Sequence, residues 1–377
     1  SLSPSHRATI GGMIATDASG KGSSKYGKTS DHIQTTNIIL ANGDLWKTKE
    51  IIDKQSYAPT NSKIKKLHHY LTTQLTLHKK IIDNSFAKLP RHVSSYNLKS
   101  TYAPKTNTLN TNYLIAGSEG TLGIISEATI QLAPIPAYNE VIIAPYPTIQ
   151  AALAPISKLR KEMPSAIEIL DEKLLSLTKN TPSYKKVQAL FKAFSTEPKV
   201  ISLIELKETN KKVLLTKQKK ITSLLPPDSI TLTKSSNIKT IWEFRKKGVQ
   251  LLTQLPGPKK AIPFIEDCAV PPEKLPQFIK EITAYLQTLN IKFGMYGHAD
   301  AGCIHIRPLL DLKTDTDRHH LTQLTEKAIE LTKKYQGILW GEHGVGFRSH
   351  YLPDTLPPIY HQICKNIKAI LDPHNQL

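Results

Sequence analysis

Three cysteines, Cys268, Cys303 and Cys364, are all that 377 residues contain, and no two of them form a C-x-x-C pair. This excludes a disulfide framework and an iron–sulfur or zinc-ribbon ligand set within the chain, and it fits a reducing compartment. No stretch approaches the roughly 18 consecutive apolar residues of a membrane span. The opening "SLSPSHRATIGGMIATDASG" lacks the charged-then-apolar order of a secretory signal. The expectation is a soluble cytoplasmic protein, with membrane contact limited to peripheral association at the inner face.

Arginine is scarce as well. Only seven of the 50 basic residues are arginines, so an arginine beside a suspected site points to a need for a planar, bidentate donor. The net charge of +19 raises nucleic acid as a partner. The lysines are dispersed, however, in "NSKIKKLHHY", "KETNKKVLLTKQKKI" and "LTKKYQG", with no aromatics set between them for base stacking. They read as solvated helix faces, and no nucleic-acid partner is expected.

What is present alternates. "TTNIILANGDLWKT" reads as a strand leading into an Asn-Gly turn, and residues 61–100 as a helical excursion. Strand and helix patterns then alternate from Tyr138 onward, including strands in "AIEILD", "KAIPFIEDCAV", "IKFGMYGH" and "CIHIRPLL" and a helix in "NIKTIWEFRKKGVQLL". The fold class is α+β, with helices layered on a mainly antiparallel sheet. The divisions expected are 1–136, 137–339 and a return segment 340–377. "IGGMIATDASGKGSSKYG" and "AGSEGTLGII" read as loops between β segments, and neither a Rossmann nor a P-loop site is expected from them. Glycines mixed with Ser, Thr and Ala suit backbone lying against a large flat ligand with phosphates, and equally suit ordinary turns.

These two stretches, with "WEFRKKGVQLL", "AIPFIEDCAVPPE", "YGHADAGCIHIRPLLDL" and "GILWGEHGVGFRSHY", resemble the vanillyl-alcohol-oxidase (PCMH-type) flavoproteins along the whole chain. The second half resembles the FAD-linked oxidase C-terminal domain of D-lactate, glycolate and D-2-hydroxyglutarate dehydrogenases. The strongest resemblance is to the bacterial D-2-hydroxyglutarate dehydrogenases that contain FAD and iron–sulfur clusters.

The resemblance implies a partial FAD-binding domain followed by a ferredoxin-like substrate domain. It places Gly11, Gly12, Ala15, Thr16, Ala18, Ser19, Gly20, Tyr26 and Gly27 along the flavin and its pyrophosphate, and Gly117, Glu119, Gly120, Gly123 and Ile124 as a second wall. His298, His305 and Glu342 become ligands of a divalent metal, zinc by its N/O ligand set. His343, a residue type with an ordinary pKa of about 6.5, becomes the base that takes the substrate hydroxyl proton. Arg245 becomes the carboxylate clamp, and Arg307 and Arg348 bind a second carboxylate or the metal-site acids. Asp267 and Asp300 are read as turn or supporting residues.

The implied reaction is oxidation of a small D-2-hydroxy acid, D-2-hydroxyglutarate first and D-lactate or glycolate next, by hydride transfer to flavin N5. Electrons then pass to an acceptor other than oxygen: a quinone, an iron–sulfur centre or an electron-transfer protein. The relatives' "GHxGDGNxH" is here "GHADAGCIH", with Cys303 in place of asparagine, and a substrate lysine of some relatives has no equivalent in "PFIEDCAVP". The relatives also begin upstream of "GGMIATDASG" and continue past "DPHNQL", so a portion of a longer flavoprotein is expected. Two other readings stay open at this level: a metal-dependent hydrolase built on His298, His305 and Glu342, and a non-catalytic fragment that binds anions.

Overall fold

The computed structural model describes residues 7–52, 59–85, 89–92 and 95–377. Ser1–Gly20, Gly27–Ala133 and Trp340–Leu377 form one compact unit, and Lys21–Tyr26 with Pro134–Leu339 form a second. Each unit is α+β, with antiparallel strand pairing throughout its sheet.

The first unit carries strands β1 (Ile33–Ile39), β2 (Leu45–Ile51), β3 (Tyr102–Ala103), β4 (Thr108–Asn110) and β5 (Ile124–Ile130), in the order β3-β4-β2-β1-β5. The helical excursion appears as Ser62–Leu77, Lys79–Ser85 and Leu98–Thr101; the rest of that expectation includes residues 86–88 and 93–94, outside the described ones. Asn61 caps the first of these helices by accepting from the Lys63 and Ile64 amides. One expectation fails here. Residues Ile10–Ala15 are helical, not loop, because Thr9 caps them by accepting from Gly12 N at 3.1 Å, offsetting the cost of two helical glycines.

The second unit is built on β6 (Tyr138–Tyr146), β7 (Ala166–Leu170), β8 (Val200–Glu208), β9 (Ile230–Leu232), β10 (Lys260–Ala261), β11 (Phe293–His298) and β12 (Cys303–Leu310). Their order is β10-β12-β11-β7-β8-β6-β9. One face buries Val141, Ile143, Leu170, Ile201 and Leu203 against the helices Glu172–Thr178, Pro182–Phe191 and Ser235–Thr253. The last of these helices contributes Ile238, Ile241 and Phe244, apolar residues at three-residue steps.

The strand expected over "KAIPFIEDCAV" survives only as β10. Pro263 has no amide to donate, and beyond it the chain is irregular apart from isolated bridges from Ala269 to Cys303 and Ile338. Likewise "GILWGEHGVG" holds a single bridge at Ile338 rather than a strand.

Candidate functional site

Strand register assembles the site of the second unit. His298 on β11 stands opposite both Glu168 on β7 and Cys303 on β12, and Tyr296 stands opposite His305. Side chains alternate between faces with period two, so Glu168, Tyr296, His298, Cys303, His305 and Arg307 all project from one face. The hairpin turn between the histidines is a single 3-10 turn, Ala299–Ala301, closed by Gly302 at φ +74°. Asp300 supports it, its carboxylate accepting from Ile167 N at 3.2 Å.

The two imidazoles lie edge to face with ring centroids 5.4 Å apart, and both are buried. His305 Nδ1 is 3.0 Å from the Glu266 carbonyl oxygen, which leaves Nε2 as the nitrogen directed elsewhere. A carboxylate oxygen of Asp267 and a ring nitrogen of His305 lie within 4.8 Å of one another. Asp267 was expected only to support the turn, and the irregular backbone after Pro263 is what brings its acid to the imidazole.

Buried nitrogen and carboxylate donors of this kind fit a divalent cation. The Cys303 thiol is 3.9 Å from Asp267 Oδ1.

Glu168 was not legible as a site residue. It is fully buried, and its two oxygens serve different partners: Oε1 meets His298 Nδ1, and Oε2 accepts from Arg245 Nε at 3.1 Å and Nη2 at 2.7 Å. Burial alone would raise this carboxyl, but the His298 imidazole and the Arg245 guanidinium outweigh it and bring the pKa down to about 2. The available signal was an acid at the centre of the otherwise apolar "AIEIL".

Arg245 comes from the helix Ser235–Thr253, on the turn next to Ile241 and Phe244, so the apolar stripe that seats the helix also aims the guanidinium. Its Cζ is 5.4 Å from the Tyr296 ring centroid, and Arg307 Cζ is 6.0 Å from the same ring. Arg307 pairs with Glu266 and donates to the Tyr296 hydroxyl at 3.0 Å. Arg245 and Arg307 are thus brought together with both histidines. A guanidinium has five N–H donors, and each of these retains donors beyond those the acids occupy.

In the first unit, Glu342 is buried and ion-paired with fully buried Arg91, a partner that nothing in the sequence marked. Arg91 Nη2 also donates to the Gly20 carbonyl at 2.6 Å. His343, half exposed, has its Nε2 3.7 Å from Glu342 Oε1. Arg348 lies over the Trp340 ring, its Cζ 6.0 Å from the centroid.

The two glycine-rich stretches of this unit meet through backbone: Gly117 N donates to Ile14 O at 3.0 Å and Glu119 N to Ala15 O at 2.8 Å. Gly117 and Gly120 have positive φ, and a Cβ on Gly11 or Gly120 would enter open space. Gly12 packs on Thr9, Ser19 is buried, and Thr16 donates to Gly12 O at 3.0 Å. Bare backbone of this kind fits a flat, phosphate-bearing cofactor such as FAD.

Gly123 lies against β1, where a Cβ would sit 2.9 Å from Ile39 O; Ile124 is exposed at the start of β5. The Glu119 acid is used by protein, accepting from Val345 N at 2.6 Å and Gly346 N at 2.9 Å. Gly27 cannot carry a side chain without meeting Asp31, Ala18 O accepts from Thr29, and Tyr26 belongs to the second unit.

Gly22–Thr29 does have the spacing G-x-x-x-x-G-K-T, contrary to the expectation that no P-loop pattern occurs. It is not a P-loop in structure. Among the described residues no strand leads into it, and Lys28 is bound to Asp17 and to the His92 carbonyl at 3.1 Å. Among the described residues no helix is long and apolar enough to cross a membrane.

Comparison with known proteins accounts for both units. The FAD binding domain matches residues 2–49, and the C-terminal domain of FAD linked oxidases matches residues 135–377. The D-2-hydroxyglutarate dehydrogenases of Pantoea ananatis and Haemophilus influenzae are 33% and 35% identical to the chain over its full length. The chain spans 38% of each of those relatives. Among solved structures, p-cresol methylhydroxylase shares the fold at a TM-score of 0.62 with 12% identity, covering 99% of this chain and 68% of its own. With the C-terminal domain matched over more than half of its residues, the chain belongs to the FAD-linked oxidases.

Proposed function

We propose that the protein acts as an FAD- and divalent-metal-dependent dehydrogenase that oxidises D-2-hydroxyglutarate to the 2-oxo acid and delivers the electrons to an acceptor other than oxygen. Relatives bearing that substrate's name align with every residue of the chain. The observation that carries the reading is the pair of guanidiniums, Arg245 and Arg307, set about Tyr296 beside His298 and His305. Two planar donors answer two carboxylates, as in a five-carbon dicarboxylic acid, whereas D-lactate and glycolate present one. The hydrolase and anion-binding readings are set aside because neither accounts for the match to FAD-linked oxidases.

Bound FAD would supply a two-electron acceptor, and a bound divalent cation would supply a Lewis acid. His305 would hold the cation through Nε2, its ring fixed from behind at Nδ1, with Asp267 adding an oxygen donor; the resemblance adds His298, whose Nδ1 is likewise held, by Glu168. Arg245 orients the carboxylate next to the reacting carbon, and Arg307 receives the distal one. The resemblance adds Glu342 to the ligands and makes His343 the acceptor of the hydroxyl proton.

Arg307→Lys keeps the charge and removes the fork. In full-length protein it is expected to raise KM for D-2-hydroxyglutarate about tenfold, with less than about a threefold change for D-lactate. Steady-state kinetics on both acids check this. Equal effects on the two would remove Arg307 from recognition of the second carboxylate.

A further inference from the structure

Glu168 takes no part in the chemistry above, yet the fold buries it completely at the centre of β7. A carboxylate there is costly unless every lone pair is used, and truncating one member of such a pair usually destabilises the rest. Its placement is not that of an ordinary structural ion pair. One oxygen meets Nδ1 of His298, directly opposite on β11, and the other accepts two N–H groups of Arg245 from the covering helix. A single rigid group therefore fixes both the angle of an imidazole and the plane of a guanidinium.

We propose that Glu168 is a positioning residue that couples Arg245 to His298, so that the geometry of the carboxylate clamp and the geometry of the metal-holding imidazole are set together. The inference rests on the reading of Arg245 as clamp and His298 as ligand. With Nδ1 of His298 held by Glu168, Nε2 keeps its lone pair directed at the cation. With Nε and Nη2 of Arg245 held, the remaining N–H groups present a fixed edge to substrate. Loosening either contact frees the carboxylate to rotate and unsettles the other.

The test is Zn²⁺ affinity, measured by competition with a chromophoric chelator on full-length protein without substrate, with circular dichroism as the folding control. Glu168→Gln is expected to weaken Zn²⁺ binding by about 10- to 100-fold although Glu168 is no ligand. Arg245→Lys conserves charge and is expected to weaken Zn²⁺ binding about three- to tenfold when Glu168 is present, and not at all in the Glu168→Gln background. Folded Glu168→Gln with Zn²⁺ affinity within about twofold of wild type would overturn the proposal, as would an Arg245→Lys effect that persists unchanged without Glu168. If Glu168→Gln does not fold, the Arg245→Lys single variant decides: unaltered Zn²⁺ affinity there refutes the coupling. Wild-type protein that binds no Zn²⁺ would defeat the functional reading and this inference together, an outcome distinct from the others.

Discussion

His305→Ala is expected to empty the metal site and to lower kcat/KM for the 2-hydroxy acid by about a thousandfold, roughly 4 kcal/mol of transition-state stabilisation. The size follows from how completely this imidazole is committed. It is buried, its Nδ1 is held by the Glu266 carbonyl, and its ring lies within reach of the Asp267 carboxylate. The residues flanking it on that face of β12 are Cys303 and Arg307, so the strand itself offers no second imidazole there. Elemental analysis of purified protein and steady-state kinetics measure the two effects. Retention of one equivalent of tightly bound metal by a folded variant would take His305 out of the ligand set.

Gly302→Ala is expected to cost about 3 to 4 kcal/mol of stability and to abolish metal binding in whatever fraction folds. Gly302 closes the turn between the two histidines at φ +74°, and a Cβ there would lie 1.8 Å from the Val270 carbonyl oxygen. The same carbonyl segment is pinned to the turn, since Val270 N donates to Gly302 O at 3.0 Å. Neither partner can withdraw without breaking the bridge from Ala269 to Cys303.

Gly43→Ala provides the comparison. Gly43 has φ +84° in the turn between β1 and β2, but its Cβ would meet nothing within 4 Å. It should cost only the left-handed penalty of about 1 kcal/mol. Urea denaturation of both variants separates the steric contribution from the conformational one. Equal losses would show that contact with Val270 contributes nothing.

The hairpin that carries both histidines was legible because its residues are close in sequence: "YGHADAGCIHIRP" spells strand, turn and strand, and glycine marks the turn. The helix of Arg245 was legible for a similar reason, since its apolar residues recur at helical steps. Other members of the site were hidden by sequence distance or by irregular backbone. Glu168 reaches His298 only because β7 is the neighbour of β11, and no local pattern announces that pairing.

Asp267 and the Glu266 carbonyl reach His305 because Pro263 ends the ladder that alternation predicted. Arg91 is a third case. Its burial depends on Glu342, far along the chain, so as an isolated arginine it gave no signal. The helix Ile10–Ala15 was missed because glycine content argued for loop, while one threonine hydroxyl supplied the cap.

Anaerobic reduction of the flavin in FAD-loaded full-length protein tests the central claim most directly. Adding D-2-hydroxyglutarate is predicted to bleach the flavin absorbance, while the L enantiomer leaves it unchanged; a chelator should prevent the bleaching and a divalent cation restore it. A flavin that stays oxidised with D-2-hydroxyglutarate, D-lactate and glycolate in the metal-replete protein, or bleaching indifferent to the chelator, would contradict the account.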